Sequence, residues 1–212
     1  MESPITTDLS LIPLSSLPKS ADSTSSSFLA THAPPPMIKA TDTTQPAIFR
    51  VQSYLDELTR AAFEVSTSLL CSSVLAGQSS ESDEYGDVGV WVGSLTQKDP
   101  ENVLQNLGLA DWVNYKKGKI VTAGASPSPL PSALTSSGSF SSETPKIHMD
   151  SLSMLLNNLD SPLEFRVEGL GGGITLYFLV GKLSHAKGGF EGDDGYAGLV
   201  GVGVMADGDE DY

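Results

Sequence analysis

Apolar residues Ile48, Val51, Leu55, Leu58, Ala62, Val65 and Leu69 recur at alternating steps of three and four. That spacing holds one narrow seam on the same side of an α-helix through three heptads. Pro46 stands where a helix can begin, because its missing N–H needs no partner there, and Gly77 stands where the pattern stops. The pattern therefore predicts a helix over residues 46–76. Beyond Phe63 the signal is mixed, since Phe63, Val65, Thr67, Leu69 and Cys71 also alternate at the period of a strand. The positions flanking the seam, among them Gln52, Tyr54, Thr59, Ala61, Ser66 and Ser68, carry no charge. A free-standing coiled coil has charges there, so the seam is expected to lie on the protein's own sheet.

Further along, Val88, Val90 and Val92 alternate with Gly89, Trp91 and Gly93, a short strand. Asp99-Pro100-Glu101 supplies a cap, a first-turn proline and a first-turn acid for a short helix carrying Val103, Leu104 and Leu107 and ending at Gly108. Residues 112–115 and 120–122 read as two strands joined by Lys116-Lys117-Gly118-Lys119. Asp150 is placed to cap a helix with Leu152, Leu155, Leu156 and Leu159, which Asp160-Ser161-Pro162 stops. Leu163, Phe165 and Val167 then alternate with Glu164, Arg166 and Glu168, Gly169–Gly173 turns the chain, and residues 174–183 are apolar on both faces, as in a central strand. The expected fold is α+β: one small domain with a mostly antiparallel sheet of about five strands covered by about three helices. Helix-covered antiparallel sheets of this size include the roadblock-type scaffolds that support small GTPases. That analogy is one of architecture, and no residue motif carries it.

Composition marks the borders of this domain. Residues 1–44 are rich in Ser, Thr and Pro and read as a disordered arm. The α+β domain is expected over 45–190, interrupted by a Ser/Pro-rich insertion at about 123–146, and 191–212 reads as an acidic, Gly-rich tail. The net charge of −14 comes from 26 acids against 12 bases. Eleven of the acids lie in two clusters, Glu81, Asp83, Glu84 and Asp87, and Glu191, Asp193, Asp194, Asp207, Asp209, Glu210 and Asp211, so the remainder is close to neutral. This balance argues against nucleic acid or an anionic membrane as a direct partner. A single Cys71 rules out an internal disulfide, and no secretory leader or membrane-length apolar run is seen. The expected compartment is cytoplasmic or nuclear, not secreted.

No catalytic constellation emerges, and the expectation is that the chain is not an enzyme and needs no cofactor. The Gly169–Gly173 turn lacks the sixth-place glycine and the following helix of a dinucleotide loop. Cys71 has no nucleophile motif around it, and one Cys with His32, His148 and His185 does not make a zinc set. Ser94 lacks the second glycine of a nucleophile elbow, and the acids at 207–211 lack the glycine and distal glutamate of a calcium loop. The function expected is a non-catalytic interaction module, an adaptor or scaffold subunit whose partners are proteins. Phe49, Leu70, Trp91 and Trp112 are its candidate contact residues. Ser80 and Ser82 among acids, and Ser126, Ser128 and Thr144 before prolines, are candidate phosphorylation sites. The alternative is a small anion- or nucleotide-binding enzyme domain using the Gly169–Gly173 turn with Lys182, His185 and Lys187.

Overall fold

The computed structural model describes residues 37–38, 45–80, 85–123, 128–135, 143–183 and 195–205. Its elements are β1 (Met37–Ile38), α1 (Gln45–Leu69), β2 (Val88–Gly93), α2 (Pro100–Asn106), α3 (Ala110–Tyr115), β3 (Lys119–Thr122), α4 (Ser132–Thr135), α5 (Glu143–Leu156), β4 (Leu159–Glu168), β5 (Ile174–Leu183) and β6 (Gly195–Val204). The sheet order is β1-β2-β6-β5-β4-β3. Strands β2 to β6 pair antiparallel, and the two residues of β1 add to the edge of β2 in parallel. The fold is α+β, as the hydrophobic pattern predicts.

The seam of α1 faces inward. Val51, Leu55, Leu58, Ala62, Val65 and Leu69 are buried, and with Leu152 and Leu156 of α5 they cover Trp91, Leu179 and Leu199 on one face of the sheet. The uncharged flanking residues Tyr54, Thr59, Ala61 and Ser66 are buried too. The Tyr54 hydroxyl donates to the Leu155 carbonyl (3.1 Å), which ties the two helices together. On the opposite face Val103, Leu104 and Val113 of α2 and α3 pack on Val90, Val92, Phe165, Phe178 and Val180. Phe165 and Phe178 are cross-strand partners whose rings stack at 4.5 Å.

Helices on both faces explain where the strand reading of Trp91 fails. Alternation predicts that one parity of β2 meets solvent, yet Val90 and Val92 are buried against α2 while Trp91 is buried under α1. Trp91 is only 3% exposed and is not a surface aromatic.

Other elements differ from their sequence expectation for local reasons. Helix α1 continues through the mixed segment to Leu69, with the Ser66 and Ser68 hydroxyls donating to the carbonyls of Phe63 and Val65. It ends in a Schellman motif at Leu70, not at Gly77, which lies in a separate 3₁₀ turn. Residues 112–115, expected as a strand, form the second half of helix α3, because Val113 alone needs burial and the other three positions remain outside. Helix α5 starts at Glu143, so Asp150 lies inside it, and β4 starts at Leu159 with an irregularity between Asp160 and Leu163 instead of a stop. The Ser/Pro-rich insertion contributes α4. Residues 195–204, expected within the tail, form β6, paired on both sides in the middle of the sheet.

Candidate functional site

Asp87 is the most deeply enclosed carboxylate among the described residues whose pKa moves. One oxygen accepts the Ser73 hydroxyl (2.7 Å) and the other the Val74 N–H (2.6 Å). The Ser73 oxygen in turn accepts the N–H groups of Leu75 (3.2 Å) and Ala76 (3.0 Å). This network folds residues 71–76 down onto β6, where Gly201 leaves the room that Asp87 and Ser73 occupy. Burial pushes the Asp87 pKa up to about 6, although the hydrogen bonds from Ser73, Val74 and Leu75 act in the opposite direction. Asp87 therefore belongs to the core and not to an exposed acidic loop. Cys71 is half-buried beside it, and burial followed by the Asp87 charge pushes the thiol up to about 11. That is the reverse of what a nucleophilic cysteine needs. His148 meets Glu64 across the α1–α5 contact (3.4 Å), away from any catalytic pairing with Cys71. Among the described residues no group of His, Cys, Asp and Glu could hold a metal ion.

A cleft of about 780 Å³ lies beside the Gly169–Gly173 turn, lined by Ser132, Glu164, Arg166, Glu168, Thr175 and Tyr177 among others. Gly169, Gly171, Gly172 and Gly173 all have positive φ, which only glycine adopts without strain, so the turn is built for a tight reversal. Glu164 is occupied in holding Ser132, accepting its N–H (3.0 Å) and its hydroxyl (2.5 Å). Arg166 donates to Glu168 (2.5 Å). The lining therefore offers an anion two carboxylates and one cation that already has a partner. Lys182 does not join it: the residue sits eight positions along β5 from Ile174, about 26 Å at the rise of a strand, at the other end of the sheet. His185 and Lys187 lie outside the described residues. The geometry thus separates Lys182 from the glycine turn.

The proposed contact residues fall on different parts of the surface. Phe49 (57% exposed) and Leu70 (92%) stand near opposite ends of α1, on the order of 30 Å apart by helical rise, and do not form one patch. Trp112 (39%) is on α3, over the other face of the sheet, with Tyr115 (82%) one turn along. Tyr115 was hidden from the sequence reading by the assignment of this segment to a strand, in which positions 112 and 115 point to opposite faces. Ile147 and Met154 are exposed on α5.

Leu70 has the most unusual setting. Its N–H donates to Thr67 (3.3 Å), and the Cys71 N–H reaches back to Ser66 (3.0 Å), which closes the Schellman motif with Leu70 in its left-handed position at φ 55°. Glycine is the residue favoured there.

Of the phosphorylation candidates, Ser82 and Ser126 lie outside the described residues. The Ser80 oxygen accepts the Val204 N–H (3.2 Å), the Ser128 oxygen accepts the Leu130 N–H (3.1 Å), and Thr144 falls in the first turn of α5. No described helix is long and apolar enough to cross a membrane. No protein-family model matches the chain, and no curated protein matches it.

Proposed function

We propose that the chain is a non-catalytic protein-interaction module, an adaptor or scaffold subunit of a cytosolic or nuclear complex, with Leu70 at the centre of its partner surface. The supporting observation is that Leu70 carries two costs without a return inside the fold. A left-handed conformation disfavours a branched side chain by about 1 kcal/mol, and its 92% exposure leaves nearly the whole side chain in water. A partner that buries it gains about 1.5–3 kcal/mol, which exceeds the backbone term. Phe49 and the Trp112–Tyr115 pair are separate contact points available to an extended partner or to more than one. Phosphorylation at Ser82 and Ser126 belongs to the same reading, since each phosphate adds nearly two negative charges that recruit or repel a partner.

The test uses Leu70→Gly, which suits the Schellman position, alongside Leu70→Asp. The tagged wild-type chain is expected to elute from native lysate with a stoichiometric partner, and both variants are expected to lose it. A companion-free wild-type monomer overturns the reading, and so does a partner that persists on both variants.

A further inference from the structure

Three of the 12 Lys and Arg residues, Lys116, Lys117 and Lys119, fall within four positions. All three are exposed, and no described carboxylate forms an ion pair with any of them. The acids that border them are turned elsewhere. Glu168, the cross-strand partner of Lys119, is engaged by Arg166, and Asp111 and Glu101 line a small cleft between α2 and α3 together with Ala110 and Asn114. The lysines are also displayed from a fixed turn. The N–H of Lys117 donates to the Asn114 carbonyl (3.0 Å) and that of Gly118 to the Val113 carbonyl (2.9 Å), and Lys117 takes the left-handed position at φ 57°. Glycine stands one residue later because a Cβ at Gly118 would press on Leu170, Val167 and Val113. On α3, Trp112, Tyr115 and Lys116 are spaced i, i+3, i+4 and share one side, whereas Ala110 and Asn114 face the cleft.

This surface joins unpaired cations to exposed aromatic rings. Trp112 and Tyr115 are residue types that anchor protein interfaces, and neither belongs to the core, to which Val113 contributes the buried side chain of α3. We propose that Lys116, Lys117 and Lys119, with Trp112 and Tyr115, form a docking site for a short acidic segment of a partner protein. Its carboxylates meet the three ammonium groups, and an aromatic or aliphatic side chain lies on the Trp112–Tyr115 face. The spacing suits an extended segment. Trp112 and Lys116 are one helical turn apart, about 5–6 Å, and side chains two residues apart on a strand lie about 7 Å apart on one side. An apolar residue two positions from an acid therefore reaches both. Charge decides the class of partner as well as its sign. At physiological ionic strength the Debye length is about 8 Å, so a short segment responds to the lysine turn and not to the chain's net charge of −14. A nucleic acid or an anionic membrane spreads over more of the surface and meets the excess of acids. The site lies across the sheet from α1 and stands independently of the role given to Leu70.

Fluorescence anisotropy of the full chain with a labelled decapeptide tests it. The probe repeats phenylalanine-serine-glutamate-serine-glutamate twice, and its control replaces each glutamate by glutamine. The glutamate probe should bind and the control should not. Raising the salt from about 0.1 M to about 1 M, which shortens the Debye length from roughly 10 Å to roughly 3 Å, should weaken binding by about fivefold or more. The triple variant Lys116→Gln, Lys117→Gly, Lys119→Gln should weaken it as much, glycine being chosen for the left-handed position. Leu70→Gly should leave it unchanged, so that this site and the Leu70 surface fail separately. Nitrogen-15 NMR of the wild type needs no variant: the glutamate probe should shift the Lys116–Lys119 amides and the Trp112 indole N–H. No binding of the glutamate probe at about 0.1 M salt overturns the proposal. Equal binding of the glutamine control, full affinity in the triple variant, or shifts confined to other residues overturns it as well. So does tighter, lysine-dependent retention on phosphatidylserine vesicles or on an oligouridylate, which assigns the turn to a membrane or to nucleic acid.

Discussion

Acidification should stabilise this fold through Asp87. The carboxylate is enclosed by Ser73, Val74 and Gly201, and burial raises its pKa from the ordinary 3.8 to about 6. A group whose folded pKa lies above its unfolded value favours folding most below the unfolded value, and that contribution is lost as the pH rises through the folded value. The separation of about two pH units corresponds to ~3 kcal/mol at 1.36 kcal/mol per unit. Between pH 5 and 7.5, integration of the same linkage relation gives a fall in stability of roughly 1–2 kcal/mol as the pH rises. That window also stays above the isoelectric point near 4.4, where the chain loses the net charge that keeps it soluble.

The assay is urea unfolding of the wild type and Asp87→Asn at several pH values from 5 to 7.5. The amide removes the titration and leaves one hydrogen bond of the network unsatisfied, a pH-independent cost of about 1–3 kcal/mol. The wild-type curve, taken relative to the variant, should therefore fall by roughly 1–2 kcal/mol toward neutral pH. A difference curve that is flat, or that rises with pH, refutes the account of a carboxylate held in the core by too few compensating contacts.

Three further outcomes follow from the packing. Gly201→Ala drives a Cβ into Asp87 and to 2.6 Å from the Ser73 oxygen, and should cost about 2–3 kcal/mol by chemical denaturation, whereas a loss under 0.5 kcal/mol would show that residues 71–76 lift freely from β6. Asp99→Ala removes the oxygen that accepts the Asn102 N–H (2.8 Å) at the start of α2 and should lower stability by about 1 kcal/mol in the same measurement. Leu70→Gly should leave the melting temperature of the isolated chain unchanged or slightly raised, because relief of about 1 kcal/mol at a left-handed leucine is offset by about 0.4–1 kcal/mol of unfolded-state entropy for glycine, and a clear fall would show that Leu70 is not strained.

The legible parts of the fold were those in which side-chain pattern and burial agree. The seam from Val51 to Leu69 and the Asp99-Pro100 start of α2 read correctly because a one-sided helix leaves a 3.6-residue period and a cap leaves a local residue choice. The pattern at Trp91 misled because β2 is covered on both faces, a tertiary fact that its own alternation does not encode. The segment Trp112–Tyr115 misled because Trp, Val and Tyr favour strands, while a six-residue helix has too few turns to display a period. Leu70 was found as an outward position on the helix, but its left-handed backbone, which carries the functional argument, has no sequence signal when glycine is absent.

Strand β6 shows why the central element of the sheet was the least visible. Four of its ten residues are Gly195, Gly198, Gly201 and Gly203, a composition that lowers strand propensity and resembles a linker. Each of three glycines is answered by a side chain from elsewhere: the Trp91 indole lies against Gly195, Asp87 and Ser73 lie against Gly201, and the Tyr177 ring lies against Gly203. The strand thus contributes empty space, and its stability comes from paired backbone on both sides and from side chains donated by β2, β5 and residues 73–87. Such a strand is specified by its neighbours' bulk and not by its own apolar pattern. The element that composition assigns to a tail is thus the one that joins β2 to β5 in the middle of the sheet.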